Sequence, residues 1–158
     1  MNRRFWLAAL AAGVLSSCAS MMPPKSIVDT AASNPNLSTL SRLINEAGLA
    51  DTLRGPGPFT VFAPTDEAFK KVPQATMDSL AKDKKQLTAV LTYHVVGAQM
   101  NAADIKAGNI KTVGGAELPI SRTGDFIGVD QALVTQADVK AANGVIHVID
   151  EVQLPPRK

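Results

Sequence analysis

Residues 59–69 read Phe59-Thr60-Val61-Phe62-Ala63-Pro64-Thr65-Asp66-Glu67-Ala68-Phe69. The first five alternate and are rich in aromatic and β-branched types, so they predict a strand. Pro64 then fixes φ and ends that strand at a corner. Thr65 or Asp66 can N-cap a helix, and Asp66 and Glu67 favour the positive end of its dipole. The stretch is therefore a strand, a corner and a helix start within eleven residues. Phe62 and Phe69 can bury their rings across the corner, each contributing about 1.5–3 kcal/mol.

On the N-terminal side the pattern is helical. Ser26 to Ala32 reads as a short helix with Ser26 as N-cap, broken by Asn34-Pro35-Asn36. Leu37, Leu40, Leu43, Ile44 and Ala47 follow three/four spacing, so one face of a second helix is buried, and Gly48 can close it. Gly55-Pro56-Gly57-Pro58 is a turn. On the C-terminal side, residues 74–92 read as helical, with Lys82 to Lys85 a solvated junction rather than a binding patch. Tyr93-His94-Val95-Val96 leads into a strand. Beyond residue 110 the chain is β-rich, with strands expected at 110–113, 117–122, 126–129, 133–139 and 145–154. Gly114-Gly115, Thr123-Gly124-Asp125 and Asn143-Gly144 divide them, the last suited to positive φ in a tight turn. In the last strand Val145, His147 and Ile149 share one face and Ile146, Val148 and Asp150 the other, so it should be central. Helices first and strands after give an α+β class.

The first seventeen residues stand apart. Arg3 and Arg4 form a charged start, and Phe5 to Leu15 is an apolar run. A membrane-spanning helix needs about 20 apolar residues; this run has the length of a signal-peptide core. Leu15-Ser16-Ser17-Cys18 resembles the bacterial lipobox, which implies cleavage before Cys18 and lipid attachment to it. Ala19, in place of Asp, favours the outer membrane where the host has one. Cys18 is the only cysteine, so no intrachain disulfide can form. Residues 1–17 are thus expected to be a lipoprotein signal peptide, 18–25 a lipidated tether and 26–156 one domain. Arg3 and Arg4 also account for the whole formal charge of +2. Without them basic and acidic side chains balance, and no basic stripe is left for a nucleic acid.

Three stretches resemble the fasciclin domain family. Thr60 to Phe69 is similar to its first box, Leu91-Thr92-Tyr93-His94-Val95-Val96 to its tyrosine-histidine motif, and Asn143-Gly144-Val145-Ile146-His147-Val148-Ile149-Asp150-Glu151-Val152 to its second box. They occur in family order and frame residues 25–156. The resemblance implies a β-sandwich or wedge packed against N-terminal helices, used for adhesion or extracellular binding, with no shared reaction and no obligatory cofactor. It makes Tyr93 and His94 candidate partner contacts, since that region is associated with receptor adhesion in animal relatives. The partner expected is a protein, glycan or lipid of the cell envelope, with the membrane reached through the lipid anchor. The competing reading is a structural envelope lipoprotein without a dedicated extracellular ligand.

Sharper chemistries find little support in the residues. His94, His147 and Asp150 invite a metal site, yet His147 and Asp150 lie three apart in a strand and point to opposite faces, and no His-x-x-x-His or Cys-x-x-Cys spacing exists. Buried, hydrogen-bonded histidine is the expectation for His94. Gly-x-Ser-x-Gly is absent, and a helix start accounts for the adjacent carboxylates Asp66 and Glu67 without catalysis. Processing would remove Trp6 and leave Tyr93 as the sole tyrosine, which argues against an extended sugar-stacking platform.

Overall fold

A computed structural model of the chain describes residues 25–156; the expected signal peptide, Cys18 and most of the tether lie outside the described residues. Helix α1 (Ile27–Ser33) begins where Ser26 accepts a hydrogen bond from the Asp29 amide at 3.2 Å. Asn34 then caps a 3-10 turn at Pro35–Leu37. Helix α2 (Ser38–Ala47) buries Leu40, Leu43, Ile44 and Ala47, and Gly48 ends it at φ 73°, a left-handed conformation that glycine adopts without steric cost. A short helix α3 (Ala50–Arg54) follows, which the residue pattern does not anticipate.

Strand β1 (Phe59–Pro64) runs into α4 (Asp66–Lys71), capped by Thr65 through the Ala68 amide. Asp66 does different work. Its carboxylate accepts from Ser38 Oγ at 2.6 Å and the Thr39 amide at 2.7 Å, so it caps the neighbouring α2. Partial burial works to raise its pKa, but these donors outweigh burial and hold it below the ordinary value. The long helical stretch divides into α5 (Gln74–Lys82) and α6 (Lys84–Tyr93) at Asp83, whose side chain accepts from the Lys85 and Gln86 amides.

The remaining strands are β2 (Val95–Val96), β3 (Gly108–Lys111), β4 (Glu117–Thr123), β5 (Phe126–Val129), β6 (Ala132–Ala141) and β7 (Gly144–Ile149). They form one mixed sheet in the order β2-β1-β7-β6-β5-β4-β3. Only β1 and β7 pair in parallel, from Phe59 opposite Gly144 to Pro64 opposite Ile149. β6 is long and irregular at two places between Val134 and Val139, where the sheet bends. Just after β3, Val113 N–H donates to Val95 O at 2.8 Å and Gly114 N–H to Thr92 O at 3.3 Å. These bonds bring the far margin back to β2, so the expected sandwich or wedge takes the form of a nearly closed barrel. The last strand stops at Ile149 rather than Leu154. Asp150 turns out of the ladder to accept the Leu133 amide, and Gln153 is drawn inside.

β7 is central, as its two apolar faces require, and all six of its residues are buried. One core lies between helices and sheet, with Val61, Ala63, Ile146 and Val148 facing Ile27, Leu40, Ile44, Leu87 and Leu91. A second fills the curl of the sheet, with Phe62, Ile149 and Tyr93 against Ile105, Leu118, Ile127 and Val129.

Candidate functional site

The three sequence boxes are far apart in the chain and adjacent in space. Residues 95–96, 59–64 and 144–149 are the neighbouring strands β2, β1 and β7. Tyr93 and His94 stand where α6 passes into β2. Both turn inward: Tyr93 is 4% exposed and His94 1%. The Tyr93 hydroxyl donates to Glu117 O at 3.2 Å, and burial, reinforced by Asp130, raises its pKa. As the domain stands, neither side chain presents surface to a partner, so the expectation that they make contacts does not fit their position. They tie α6 and β2 to the rest of the barrel instead.

His94 is a bolt between a helix and the end of the chain. Nδ1 lies 2.7 Å from Val90 O, and Nε2 accepts from the Gln153 amide at 3.0 Å. A carbonyl can only accept and an amide only donate, so the ring is neutral with its proton on Nδ1. Gln153 Nε2 in turn donates to Val129 O. Burial depresses the His94 pKa to about 4, against the partial opposition of Val90 O. An unfolded His94 titrates near 6.5, so below that pH the unfolded chain binds a proton that the folded chain refuses. Stability is then full above pH 6.5 and falls by about 3 kcal/mol as pH drops to 4. Equilibrium unfolding in guanidinium between pH 4 and 7.5 checks this. His94→Gln should flatten the dependence, and a wild-type curve already flat would contradict it.

His147 holds the opposite tautomer. Nε2 donates to Met100 O at 2.7 Å and Nδ1 accepts from the Asp138 amide at 3.3 Å. Its pKa is lowered, chiefly by burial, while Met100 and Asp138 act the other way. Its ring stacks on Phe62 with centroids 5.6 Å apart. Asp138, at φ 56° in the bent part of β6, accepts the Ala102 amide at 2.7 Å. Thr60 accepts the Met100 amide, and Arg122 donates to Ala102 O and Ile105 O. The segment from 98 to 105 is thus fastened to β1, β4, β6 and β7 by side chains, of which Thr60 and His147 are buried, and His147 has a structural task.

Asn143, at the β6–β7 turn, serves three distant backbone groups. Its Oδ1 accepts from the Ile27 amide at 2.9 Å, and its Nδ2 donates to Leu53 O at 2.6 Å and Gly55 O at 2.9 Å. Gly144 is not in a positive-φ conformation, contrary to the turn expectation. It is required because β1 lies against it. A Cβ at 144 would fall on the Phe59 carbonyl oxygen and within 2.7 Å of Ile27 Cδ1.

The exposed features are elsewhere. Phe126 is 70% exposed and Leu133 50%. Leu133 pairs with Gly128, which lies in the same phase as Phe126, so Phe126 and Leu133 point to the outer face, while Gly128 between them is buried beneath Ser121. The alternation around Ile127 carried this signal, since one of the two phases had to face outward. A groove of about 530 Å³ lies between α5, α6 and the tail, lined by Leu80, Gln86, Val90, Leu154 and Pro155 among others. A smaller hollow of about 290 Å³ gathers Thr65, Asp66, Glu67, Thr135 and Asp150, but Asp66 and Asp150 are already spent on backbone amides. Among the described residues no group of three His, Cys, Asp or Glu is placed to hold a metal ion. No helix among them is long and apolar enough to cross a membrane.

Comparison with known proteins places this architecture. The fasciclin domain family model matches residues 35–155. Protein sll1483 of Synechocystis sp. is 44% identical over 132 residues, covering 82% of this chain and 73% of its own length. Cell surface glycolipoprotein MPB83 of Mycobacterium bovis is 39% identical over 135 residues, covering 82% of this chain and 60% of that protein. Among solved structures, a FAS1 domain pair from the insect cell adhesion molecule fasciclin I superposes with a TM-score of 0.65 at 19% identity. That match covers 82% of this chain and 51% of the insect chain, and it bears on the fold alone.

Proposed function

The chain belongs to the fasciclin domain family, and we therefore propose that it is a non-enzymatic adhesion or binding module, held at the cell envelope by lipid on Cys18. The observation that carries this reading is the family match across residues 35–155, joined to a relative described as a cell surface glycolipoprotein. The internal chemistry agrees with it. The histidines and the hydroxyl that would tempt a catalytic assignment are spent on backbone groups. The outer face around Phe126 and Leu133 is the contact surface we assign, because an exposed aromatic with an exposed aliphatic side chain on the same face is the kind of apolar anchor interfaces use.

The test is a binding screen. The purified full chain is exposed to envelope glycans, lipid vesicles and a crosslinked whole-cell extract. One saturable partner is expected, with affinity falling about tenfold or more in Phe126→Ser/Leu133→Ser while the melting temperature holds. Retention insensitive to that double variant moves the contact face. No retention at all, in cells whose envelope still fails without the protein, favours a structural envelope lipoprotein.

The anchor has its own test. Cys18→Ser should abolish lipid attachment and either release the protein into the soluble fraction or leave the precursor uncleaved, because two or more acyl chains, at about 0.8 kcal/mol per buried methylene, are what make such anchoring stable. Fractionation with mass analysis reads both results, and undiminished membrane retention would remove the anchor from the proposal. With Ala19 after the cysteine, the outer membrane is the proposed destination where the host has one.

A further inference from the structure

Asn143 is the only asparagine in the chain followed by glycine. That pair is chemically labile. The Gly144 backbone nitrogen can attack the Asn143 side-chain carbonyl carbon, because glycine has no Cβ to obstruct the approach and its backbone turns freely. A bond forms from the Gly144 nitrogen to Cγ, the bond from Cγ to Nδ2 breaks, and the proton given up by the Gly144 amide leaves with Nδ2 as ammonia. Water then opens the five-membered imide, giving aspartate or isoaspartate. No oxidant or other co-reactant is needed.

In the folded domain both halves of the reaction are held apart. The Asn143 side chain is fixed at both ends by the Ile27 amide and the Leu53 and Gly55 carbonyls. The Asn143 carbonyl accepts from the Phe59 amide at 3.0 Å. Gly144 is held in register with Phe59 on one side and Ala141 on the other. The side chain cannot swing onto the next nitrogen without releasing α1, α3 and β1 together.

The product would not fit the place it came from. Deamidation turns Nδ2, a donor facing two carbonyl oxygens, into a carboxylate oxygen that can only accept. Leu53 O and Gly55 O would lose their donor and meet a negative charge. An isoaspartate would also add a backbone atom where β1 and β7 have no room.

We propose that Asn143-Gly144 is a modification site, a spontaneous deamidation site that the fold keeps silent and that converts irreversibly once the domain opens, barring its return to the closed form. A copy that lingers unfolded is thereby removed from the folded pool without a protease.

Incubation at mildly alkaline pH, followed by peptide mapping, tests the first half. The full chain in buffer is compared with the full chain in guanidinium and with a synthetic peptide spanning residues 141–146. Native Asn143 should react more than about tenfold slower than either reference, because only the opened fraction is reactive. A smaller difference overturns the protection. The second half is read on the guanidinium sample after dilution: chains carrying aspartate or isoaspartate at 143 should be missing from the refolded fraction, and unreacted chains should return. Asn143→Asp, made directly, should show a lower melting temperature than wild type, while Gln131→Glu, the same amide-to-acid change at an exposed turn, should not. Reacted chains recovered in proportion, or an Asn143→Asp melt equal to wild type, overturns the irreversibility.

Discussion

Gly144→Ala is expected to remove more than about 4 kcal/mol of stability and to leave no cooperative thermal transition at 37 °C or above. The added methyl group would overlap the Phe59 carbonyl oxygen and press on Ile27 Cδ1. The first obstacle is backbone in a paired strand, not the end of a movable side chain. Relief would need β1 and β7 to part, and that parallel pairing is the centre of the sheet. Gly97→Ala is the matched control. A Cβ there meets nothing nearer than Val113 Cγ2 at 3.9 Å, so its effect should stay within about 0.5 kcal/mol. Circular dichroism during heating separates the two variants. A near-normal melt for Gly144→Ala would mean that the strands lie further apart than described.

Phe62→Ala is expected to cost about 3–5 kcal/mol, the range for emptying a fully buried aromatic site. Phe62 is 0% exposed and sits in the core inside the curl of the sheet. The loss extends beyond its own volume. Its ring stacks on His147, whose two nitrogens hold the segment after β2 and the bend in β6. Denaturant unfolding should therefore show a lowered midpoint. Phe62→Leu should recover part of it, since it refills space without restoring the stack. Equal stability of Phe62→Ala and wild type would show that the ring is not a core element.

The strand-corner-helix at residues 59–69 is legible because each local preference agrees: alternation, the proline corner, the threonine cap and the acidic first turn all point one way. The α2 face and its Gly48 terminus are legible for the same reason. The failures have a common cause. Helix α3 has five residues, too few for a periodic face, and it rests on Ala50 and Leu53 packing against elements distant in sequence. The last strand looked longer because apolar residues continue past Ile149, and only the Asp150 and Gln153 bonds to Leu133, His94 and Val129 show where the ladder ends. Gly144 resembled a turn glycine because a Cβ-free residue answers to φ and to crowding alike, and crowding comes from a strand 85 positions earlier. Tyr93 and His94 stand out in the sequence as a pair, but which way they face depends on the barrel closing over them. Alternation around Ile127 shows that one phase faces outward, but only the closed sheet shows that it is the phase of Phe126.

The parallel pairing of β1 with β7 also sets the order in which this chain can be completed during synthesis. β1 leaves the ribosome well before the strand it pairs with in parallel, which lies 85 positions further along the chain. Until residues 143–149 are available, β1 has only the two-residue β2 beside it, Ala63 has no strand partner, and nothing joins α1 to α3 through Asn143. Contacts so distant in sequence close late and slowly. A nascent chain stopped before residue 144 consequently lacks the centre of its sheet, and truncation from the C-terminus should abolish folding abruptly rather than shave it by degrees.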